Sequence, residues 1–367
     1  MGPLDGLVIA DFSRVLAGPY ATMMLADMGA HVIKIERPGI GDDTRSWGPP
    51  FNEQGLSTYF AGVNRNKKTV EIDLSTDEGR EQARHIALTA DILVENFRPG
   101  TMQRMGLDYK SLSKDNKGLI YASLSGFGSG EGADIGGYDL MVQAVGGLMS
   151  INGEKDHPVK VGVALVDVLT GLHMGMGILA ALNARHATGK GQLIEINLLH
   201  TLLSSLANQS SAYVGAGVIG KAMGNTHPSI APYQVFSTKH GDLAIAAGND
   251  SLFRRTCDVL RMPELVTDER FLTNSDRVAH REELAAIIED ALQEKTAHEW
   301  FEDLRRAGIP AGPVNDIQQA FQFAESLGLD PIVEINGMRS VRNPINFSDT
   351  PVEYHTAPQK LSNQSFQ

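Results

Sequence analysis

A single carboxylate, Asp167, stands near the start of an otherwise apolar run at residues 160–185. Val161 and Val163 alternate before it as in a short extended segment, and apolar residues recur at helical spacing from 172 to 182. An ionised carboxylate in such surroundings is costly unless it is hydrogen-bonded or paired, and the free N–H groups of a helix N-terminus offset part of that cost. Asp167 is therefore either a helix cap or a poorly solvated nucleophile that attacks an acyl group.

Three arginines lie on or beside loops that follow predicted strands. Arg37 stands in ERPG, Arg98 in ENFRPG and Arg104 in QRMG. Each alone is typical of a solvated surface residue, but grouped guanidinium ions bind phosphate or carboxylate through paired hydrogen bonds. Together the arginines indicate an anion-binding mouth, with scattered surface charges as the alternative.

Five further residues suit a binding or catalytic role, and each also has a plain structural alternative. Trp47 and Phe97 fall on predicted loops, where they either pack an acyl or pantetheine chain or close the domain surface. Tyr138 begins a helix beside a Gly-rich loop, and its phenol either donates to a developing oxyanion or packs locally. Gly248 in AAGND marks a mobile lid or an ordinary hairpin exit, and His227 binds a distal carboxylate or is a loop histidine.

The elements that must position these residues alternate between strand and helix over residues 1–125. The predicted strands are 7–10, 31–35, 91–95 and 119–124, and the predicted helices are 17–28 and 77–90. This order predicts an α/β fold with a doubly wound, Rossmann-like parallel sheet. Ligands bind such sheets at the carboxyl ends of the strands. Here those ends lead into the loops at 12–19, 36–50, 95–106 and 125–132.

The pattern predicts a large domain, a smaller one and a returning segment. Residues 1–216 form the predicted large α/β domain, and the Gly-rich residues 217–229 form a linker. Residues 230–310 form a predicted small α+β domain, with strands at 233–237 and 243–247 and three helices. The proline-rich residues 311–367 are predicted to return to the large domain as irregular chain with short strands.

Composition argues against several functional classes. Of 367 residues, 42% are apolar and 21% charged, and the net charge of −12 disfavours nucleic acid as a partner. The lone Cys257 precludes an intrachain disulfide, and the 11 histidines form no ligand motif, so we expect no metal. The Gly-rich loop at 126–132 does not fit the dinucleotide fingerprint, so we expect neither nicotinamide nor flavin.

The sequence also bears on location. It contains no run approaching roughly 18 uninterrupted apolar residues, so we expect no membrane partner. The N-terminal residues lack the features of a signal or transit peptide. A cytoplasmic location is expected, and the mitochondrial matrix also fits if a presequence was removed.

Six collinear motifs carry a family resemblance. They are DFSRVLAGPYATMMLADMGAHVIKIERPGIGDDTRSWGPP, NRNKKTVEIDL, ADILVENFRPGTMQRMGL, GYDLMVQAVGGLMSING, VGVALVDVLTGLH and GKGQLIEINLL. In this order they resemble the class III CoA-transferases, the family that includes formyl-CoA transferase, carnitine CoA-transferase and alpha-methylacyl-CoA racemase. GDDTRSWGPPF, NTHPSIAPYQVF and AAGND look most similar to the succinyl-CoA:glutarate CoA-transferase type.

The resemblance implies roles for particular residues. It makes Asp167 the catalytic aspartate, and we expect Tyr138 and movement of the Gly248 turn to assist it. It places contacts with coenzyme A at Leu16, Ala17, Arg37, Ile72 to Ser75, Asn96, Phe97, Arg104, Tyr138 and Asp139. Candidates to bind the acid substrate are Arg14, Arg45, Trp47 and His227.

Two positions depart from relatives within the family. Formyl-CoA transferase carries a polar side chain where this chain has Leu16, which disfavours formate or oxalate as the substrate. Racemases carry a histidine where this chain has Tyr138. Without that base, proton exchange at the alpha carbon lacks half of its acid/base pair, which favours transfer over racemisation.

The resemblance further implies a reaction and an assembly. CoA would pass from an acyl-CoA donor, such as succinyl-CoA, to a short carboxylic or dicarboxylic acid through mixed-anhydride and aspartyl-CoA thioester intermediates. Backbone N–H groups at the start of the Asp167 helix, with Tyr138, would stabilise the oxyanions. The partners would be acyl-CoA, a free carboxylic acid and a second copy of the chain in an interlocked homodimer. An acyl-CoA racemase or isomerase and a non-catalytic CoA-binding protein are the alternatives.

Overall fold

The computed structural model describes residues 1–154 and 156–362. Its strands are β1 (Val8–Asp11), β2 (His31–Glu36), β3 (Lys67–Glu71), β4 (Ile92–Glu95), β5 (Ile120–Ser125), β6 (Gly153–Glu154), β7 (His157–Pro158), β8 (Leu193–Asn197), β9 (Tyr233–Ser237), β10 (Asp242–Ala246), β11 (Ala311–Pro313), β12 (Ile332–Ile335) and β13 (Met338–Val341). Its helices are α1 (Ala17–Asp27), α2 (Thr58–Ala61), α3 (Asp77–Thr89), α4 (Thr101–Arg104), α5 (Tyr109–Leu112), α6 (Asp139–Val145), α7 (Leu148–Ile151), α8 (Leu165–Thr188), α9 (Leu198–Ser205), α10 (Asn208–Ala216), α11 (Asp250–Val259), α12 (Asn274–Ala279), α13 (Arg281–Leu292), α14 (Ala297–Arg306) and α15 (Ile317–Ser326).

The described chain divides into two compact units. Unit 1 comprises residues 1–149, 160–220 and those from 330 onward, and unit 2 comprises residues 150–159 and 221–329. The domain boundaries inferred from the sequence, at 216, 229 and 310, stay predictions, and the units named here are those of the structure.

Unit 1 is built on a six-stranded sheet in the order β3-β2-β1-β4-β5-β8. Every adjacent pair is parallel, and β1 is central, with Val8 opposite His31 of β2 and Ile9 opposite Ile92 of β4. This strand order is that of a doubly wound, Rossmann-like sheet, so the predicted fold class is confirmed. The order reverses between β1 and β4, and ligands bind outside the carboxyl ends of the strands at such a point.

Successive residues of the central strands enter two cores, one on each face of the sheet. Ile9 and Ile92 pack with α1 and α8, whereas Ala10 and Leu93 pack with α3 and α5. The pleat of a strand imposes this alternation with a period of two residues. Because helices cover both faces, the central strand β4 is buried from end to end.

Helix α8 supplies the longest apolar surface of unit 1. Val166, Met174 and Ile178 are fully buried in the core, whereas Met176 on the opposite side is 62% exposed. In the described part of the chain, α8 alone is long and apolar enough to cross a membrane. That is weak evidence of membrane insertion, because the core helices of globular proteins have the same length and composition.

Unit 2 contains an antiparallel sheet in the order β11-β10-β9. Helices α11, α13 and α14 pack with it, and Phe253, Ile288 and Trp300 are buried in its core. Helix α14 begins with a capping box, in which Thr296 and Glu299 bond to each other's backbone N–H groups. The predicted α+β character of the smaller part is thus confirmed.

Some elements differ from the sequence-based expectation. Strand β3 and helix α15 are not predicted by the patterns above. β3 is an edge strand with the sequence KKTVE, so it lacks the apolar run of a central strand, and α15 has no buried residue. Residues 160–164 are predicted to be extended but form a bent loop, because α8 already begins at Leu165.

Candidate active site

A cavity of about 200 Å³ in unit 1, called here the first cavity, opens beyond the carboxyl ends of β1, β4 and β5. The predicted site residues among those lining it are Arg14, Leu16, Ala17, Asn96, Phe97, Tyr138 and Asp167. These residues come from separate stretches of the sequence, and the sheet topology brings them together. The place of the cavity agrees with the general position of ligands in doubly wound sheets.

Asp167 is the third residue of α8, and the N-cap of that helix is Ala164. The interpretation of Asp167 as a helix cap is therefore wrong. No group within residues 1–154 and 156–362 donates a hydrogen bond to the Asp167 carboxylate. Burial, followed by the nearby charge of Asp139, raises the pKa of Asp167 from 3.8 to about 7. A partly buried carboxylate that no described group binds is suited to nucleophilic attack.

Asp139 and Gln143 hold the chain that leads into α8. The Asp139 carboxylate accepts hydrogen bonds from the Val166 N–H at 2.8 Å and from the Gln143 side-chain amide at 2.6 Å. The other end of the Gln143 amide accepts the Val161 N–H at 2.9 Å. Asp139, for which the resemblance implies a contact with CoA, thus directs its carboxylate to the protein itself. It fixes the start of the helix that carries Asp167.

Two of the N–H groups at the start of α8 already donate hydrogen bonds. Val166 donates to Asp139, and Leu165 donates to the carbonyl oxygen of Val163 at 2.8 Å. These two groups are therefore not free to stabilise an oxyanion, and the role predicted for the other N–H groups at the start of α8 stays a prediction. The N-terminus of α1 also borders the first cavity, and its N-cap residue Leu16 makes no side-chain cap hydrogen bond.

Asn96 fixes the backbone of the loop after β1 by hydrogen bonds, and the Arg14 guanidinium on this loop stays accessible. The Asn96 side chain accepts the Arg14 N–H at 2.9 Å and donates to the Arg14 carbonyl oxygen at 2.7 Å. The Arg14 side chain is 41% exposed, and its guanidinium lies 4.9 Å from the Phe97 ring centroid and 3.8 Å from an oxygen of Asp43. Asn96 therefore positions the backbone, and Arg14 keeps a charged group at the cavity.

A second cavity of about 220 Å³ lies where β2 and β3 end. Arg37 and residues 72–75 line it, and it shares Arg14 and Phe97 with the first cavity. The shared walls place the two cavities side by side, so that an elongated ligand could occupy both. Among the described residues, no three His, Cys, Asp or Glu side chains are grouped so that they could hold a metal ion.

The arginines predicted to form an anion-binding mouth are not equivalent. Arg98 lines the first cavity and Arg37 the second. Arg104 ends α4, is exposed, and donates to the hydroxyl of Thr101 at 3.0 Å. It is not among the residues that line either cavity.

Arg45, a candidate to bind the acid substrate, is engaged inside unit 1. Its Nε and Nη2 each lie 2.7 Å from a carboxylate oxygen of Glu36, and its Nη1 donates to the Gln359 carbonyl oxygen at 2.9 Å. The guanidinium also lies 3.8 Å from the centroid of the Phe60 ring. A buried guanidinium with these partners has little capacity left for a substrate, so the structure favours a structural role for Arg45.

Two of the predicted site residues are exposed aromatic side chains, and Trp47 is not among the residues that line either cavity. Tyr138 lines the first cavity and is 62% exposed. Trp47 is 40% exposed and packs edge to face on Tyr59, with 5.2 Å between the ring centroids. Neither ring is part of the buried core, which leaves both accessible to a ligand.

His227 and Gly248 belong to unit 2. The His227 ring accepts the Ser229 N–H at 3.1 Å and lies 5.1 Å from the Tyr233 ring centroid. Gly248 follows β10 and precedes Asn249, which caps α11 by accepting the Leu252 N–H. Their predicted roles as a substrate ligand and a moving turn stay predictions.

Sequence reasoning missed three residues of the site. Tyr59 packs on Trp47, and burial, followed by the charge of Asp167, raises its pKa to about 12. Gln143 is completely buried, and Asp42 is 1% exposed. The only signal for Gln143 and Asp42 is a polar residue at a buried position, which becomes visible once the fold is known.

Comparison with known proteins places the chain among relatives with named activities. Residues 4–364 match the sequence profile described as CoA-transferase family III. The chain is 41% identical to the succinate–glutarate CoA-transferase of Agrobacterium fabrum, over 100% of this chain and 94% of that protein. It is 40% identical to the acetyl-CoA:oxalate CoA-transferase of Acetobacter aceti, over 99% of this chain and 94% of that protein. A crystal structure of a CAIB/BAIF family protein from Brucella suis has a TM-score of 0.89 and 42% identity, and covers 98% of this chain and 96% of that one.

Proposed function

The chain belongs to CoA-transferase family III, and we propose that within this chemistry Asp167 carries CoA between succinyl-CoA, or a similar donor, and a short dicarboxylic acid. The observation that carries the proposal is the Asp167 carboxylate. It lines a cavity of unit 1, accepts no hydrogen bond from the described residues, and has a raised pKa. A group with these properties is kept reactive rather than stabilised.

The proposed reaction begins when a carboxylate oxygen of Asp167 attacks the thioester carbonyl of the donor. The carbon–sulfur bond breaks, which leaves CoA as a thiolate and Asp167 in a mixed anhydride with the donor acid. The thiolate then attacks the aspartyl carbonyl, releases the donor carboxylate and forms an aspartyl-CoA thioester. The acceptor carboxylate attacks this thioester and expels the thiolate. The thiolate finally attacks the acceptor acyl group of the second anhydride and regenerates Asp167.

Each tetrahedral step places negative charge on an oxygen next to Asp167. The N-terminus of α1, with Leu16 and Ala17 at the cavity wall, supports a proposal that its free N–H groups receive this charge. Tyr138 at the same cavity is a second donor candidate. Water would hydrolyse the intermediates, so the site must exclude it during transfer.

The second cavity suits the nucleotide end of CoA. Arg37 supplies a cation for a phosphate, and Ile72 with Phe97 supplies apolar surface for a planar base. Because Arg14 and Phe97 border both cavities, the pantetheine arm would pass them on the way to Asp167. Coenzyme A is thus proposed as a substrate that spans the two cavities.

The acceptor is proposed to be a dicarboxylate because a relative named succinate–glutarate CoA-transferase matches the whole chain. Arg14 is the proposed ligand of the distal carboxylate, since its guanidinium is accessible and lines the first cavity. The relative named acetyl-CoA:oxalate CoA-transferase makes oxalate the competing acceptor to test.

A homodimer is proposed on the exposed apolar surface of unit 1. Leu172, Met176 and Leu179 are 45%, 62% and 39% exposed and lie on one face of α8. Large apolar side chains grouped in this way favour a protein–protein interface. The interlocked arrangement is carried over from the family resemblance as part of the same proposal.

The test is a panel of acyl-CoA donors against free mono- and dicarboxylates, with products identified by mass spectrometry. We expect wild-type protein to exchange CoA from succinyl-CoA to a dicarboxylate, and Asp167→Asn to lose at least roughly a thousandfold in kcat. Hydroxylamine added during turnover should convert Asp167 to a hydroxamate. Exchange at the wild-type rate by Asp167→Asn would refute the role of Asp167. Deuterium uptake at the alpha carbon without an acceptor acid would favour racemisation.

A further inference from the structure

Val15 has a backbone conformation that its side chain disfavours. Its φ is 71°, in the left-handed region, where a β-branched residue meets steric conflict. Such a residue persists only when its surroundings hold it there, and strained residues of this kind cluster at functional sites. Val15 lines the first cavity, between Arg14 and Leu16.

Asp42 is the group that holds Val15. The Val15 N–H points between the two carboxylate oxygens of Asp42, at 3.3 and 3.2 Å. Asp42 is 1% exposed and is itself fixed by the Lys34 ammonium at 3.0 Å and by the Thr44 N–H and hydroxyl at 3.0 and 2.7 Å. Burial alone would raise the pKa of Asp42, but Lys34 and Thr44 outweigh it and lower the pKa, which keeps the acceptor ionised.

Side chains from other parts of unit 1 also fix the residues before Val15. Lys34 also donates to the Ser13 carbonyl oxygen at 2.9 Å, while Asn96 binds both backbone polar groups of Arg14. The backbone from Ser13 to Val15 is therefore tied at each residue to a side chain from another part of unit 1. Of these hydrogen bonds, only the one from the Val15 N–H to Asp42 keeps a residue in a sterically disfavoured conformation. Its loss should therefore change the loop more than loss of the others.

We propose that Asp42 is a positioning residue for CoA transfer. By keeping Val15 in the left-handed conformation, it sets the direction in which the chain turns from β1 into α1. It thereby places Arg14 on one side and Leu16 with Ala17 on the other against the cavity that contains Asp167. Asp42 itself lines the second cavity but not the first, so it acts on the transfer through the loop. This inference rests on the proposed function only in that the cavity is the place of transfer.

The test measures how far Asp42 and Val15 depend on each other. Glycine adopts a positive φ without steric cost, so Val15→Gly removes the strain that Asp42 must oppose. We expect Asp42→Asn to lower kcat about 10- to 100-fold in the Val15 background and only about threefold in the Val15→Gly background. KM for the acyl-CoA should change less than kcat, because the loop acts on the transfer step. An equal loss in both backgrounds would overturn the inference.

Asp27→Asn is the matched control for loss of a buried ion pair. Asp27 is fully buried, pairs with Arg65 at 2.6 Å, and does not line the first cavity. We expect this variant to lose stability but to keep kcat within about threefold of wild type. If it lowers kcat as much as Asp42→Asn does, the effect of Asp42 is general destabilisation and the inference fails. Should Asp42→Asn not fold, Thr44→Val removes one hydrogen bond to Asp42 and takes its place in the comparison.

Amide hydrogen exchange separates this inference from the proposed function. In Asp42→Asn, residues 13–17 should exchange at least about tenfold faster than in wild type, and in Asp27→Asn at the wild-type rate. Unchanged exchange in Asp42→Asn would overturn the inference, whether or not the wild-type protein transfers CoA. Failure of wild type to transfer CoA, with the expected exchange pattern, would instead overturn the proposed function.

Discussion

Replacement of Asp167 by asparagine should stabilise the protein at neutral pH while it abolishes activity. The unpaired carboxylate has a pKa of about 7 instead of 3.8, chiefly because of burial and secondly because of Asp139. Each pKa unit corresponds to about 1.4 kcal/mol, so this difference sets a ceiling of roughly 4 kcal/mol on the cost of ionising Asp167 in the folded state. Asparagine has nearly the same volume and carries no charge, so it removes that cost.

The expected gain is smaller than the ceiling for two reasons. Asp167 is only partly buried, so solvent screens part of the charge. An acidic side chain in the first turn of α8 is also favoured by the helix dipole by about 0.3–1 kcal/mol, which asparagine loses. We therefore expect Asp167→Asn to be about 1–2 kcal/mol more stable than wild type at pH 8.

The pH dependence follows from the order of the two pKa values. Below pH 4, the carboxyl group is protonated in both folded and unfolded states, and the variant should gain nothing. Between pH 4 and pH 7, the unfolded chain ionises Asp167 while the folded protein retains the proton, so wild type loses stability relative to the variant. Above pH 7, Asp167 is ionised in both states, and the difference in free energy of unfolding between the two proteins becomes constant.

Urea unfolding of both proteins at several pH values between 4 and 8 measures this difference through the midpoints. Asp27→Asn provides a control of opposite sign, because loss of a carboxylate bonded to Arg65 should destabilise the protein by about 3–5 kcal/mol. An Asp167→Asn variant no more stable than wild type at pH 8, or one whose gain does not change between pH 4 and pH 8, would refute the view that Asp167 is held unpaired.

Three further predictions concern activity. The kcat/KM of wild type should rise with pH through an apparent pKa near 7. Asp139→Asn should lower that apparent pKa, because it removes the negative charge that is the second cause of the raised pKa of Asp167. Initial rates measured from pH 5 to 9 test both expectations. Phe97→Ala should raise KM for acyl-CoA about tenfold with a smaller change in kcat, since Phe97 borders both cavities. Steady-state kinetics with varied acyl-CoA concentration measure this, and an unchanged KM would contradict a contact between Phe97 and the donor. Arg14→Ala should raise KM for a dicarboxylate about tenfold or more and leave KM for a monocarboxylate within about twofold, and equal effects on the two acids would exclude a contact with the distal carboxylate.

The alternation of strands and helices in residues 1–125 was sufficient to predict the parallel sheet and the edge at which the site lies. That inference depends on short-range patterns, and each central strand has an apolar run that the pattern makes visible. The pattern does not predict strand β3, because an edge strand with two lysines has no such apolar run. The pattern also does not predict the bent loop before Asp167, because alternating valines are compatible with either an extended or an irregular backbone.

The contacts within the site could not be predicted, because they join residues far apart in the chain. Asn96 binds a backbone 82 residues before it, and Asp42 binds one 27 residues before it. The family resemblance locates Asn96 and Asp139 near the site, but their side chains face the protein and position other residues. Proximity along a motif indicates membership of a site, whereas the direction of a side chain is decided by tertiary hydrogen bonds.

Comparison of the buried carboxylates of unit 1 supports the proposal of Asp167 as the nucleophile through its hydrogen-bond partners rather than through burial. Burial would raise the pKa of Asp11, but Lys67 and Lys34 lower it to about 2, so that carboxylate is ionised and occupied. Burial raises the pKa of Glu95 to about 7, close to that of Asp167, yet its two oxygens accept hydrogen bonds from the Ser123 hydroxyl and the Phe97 N–H. Asp167 combines a raised pKa with oxygens that no described donor binds. A raised pKa alone would therefore favour both Glu95 and Asp167, and the lack of a described hydrogen-bond donor favours Asp167 as the proposed nucleophile.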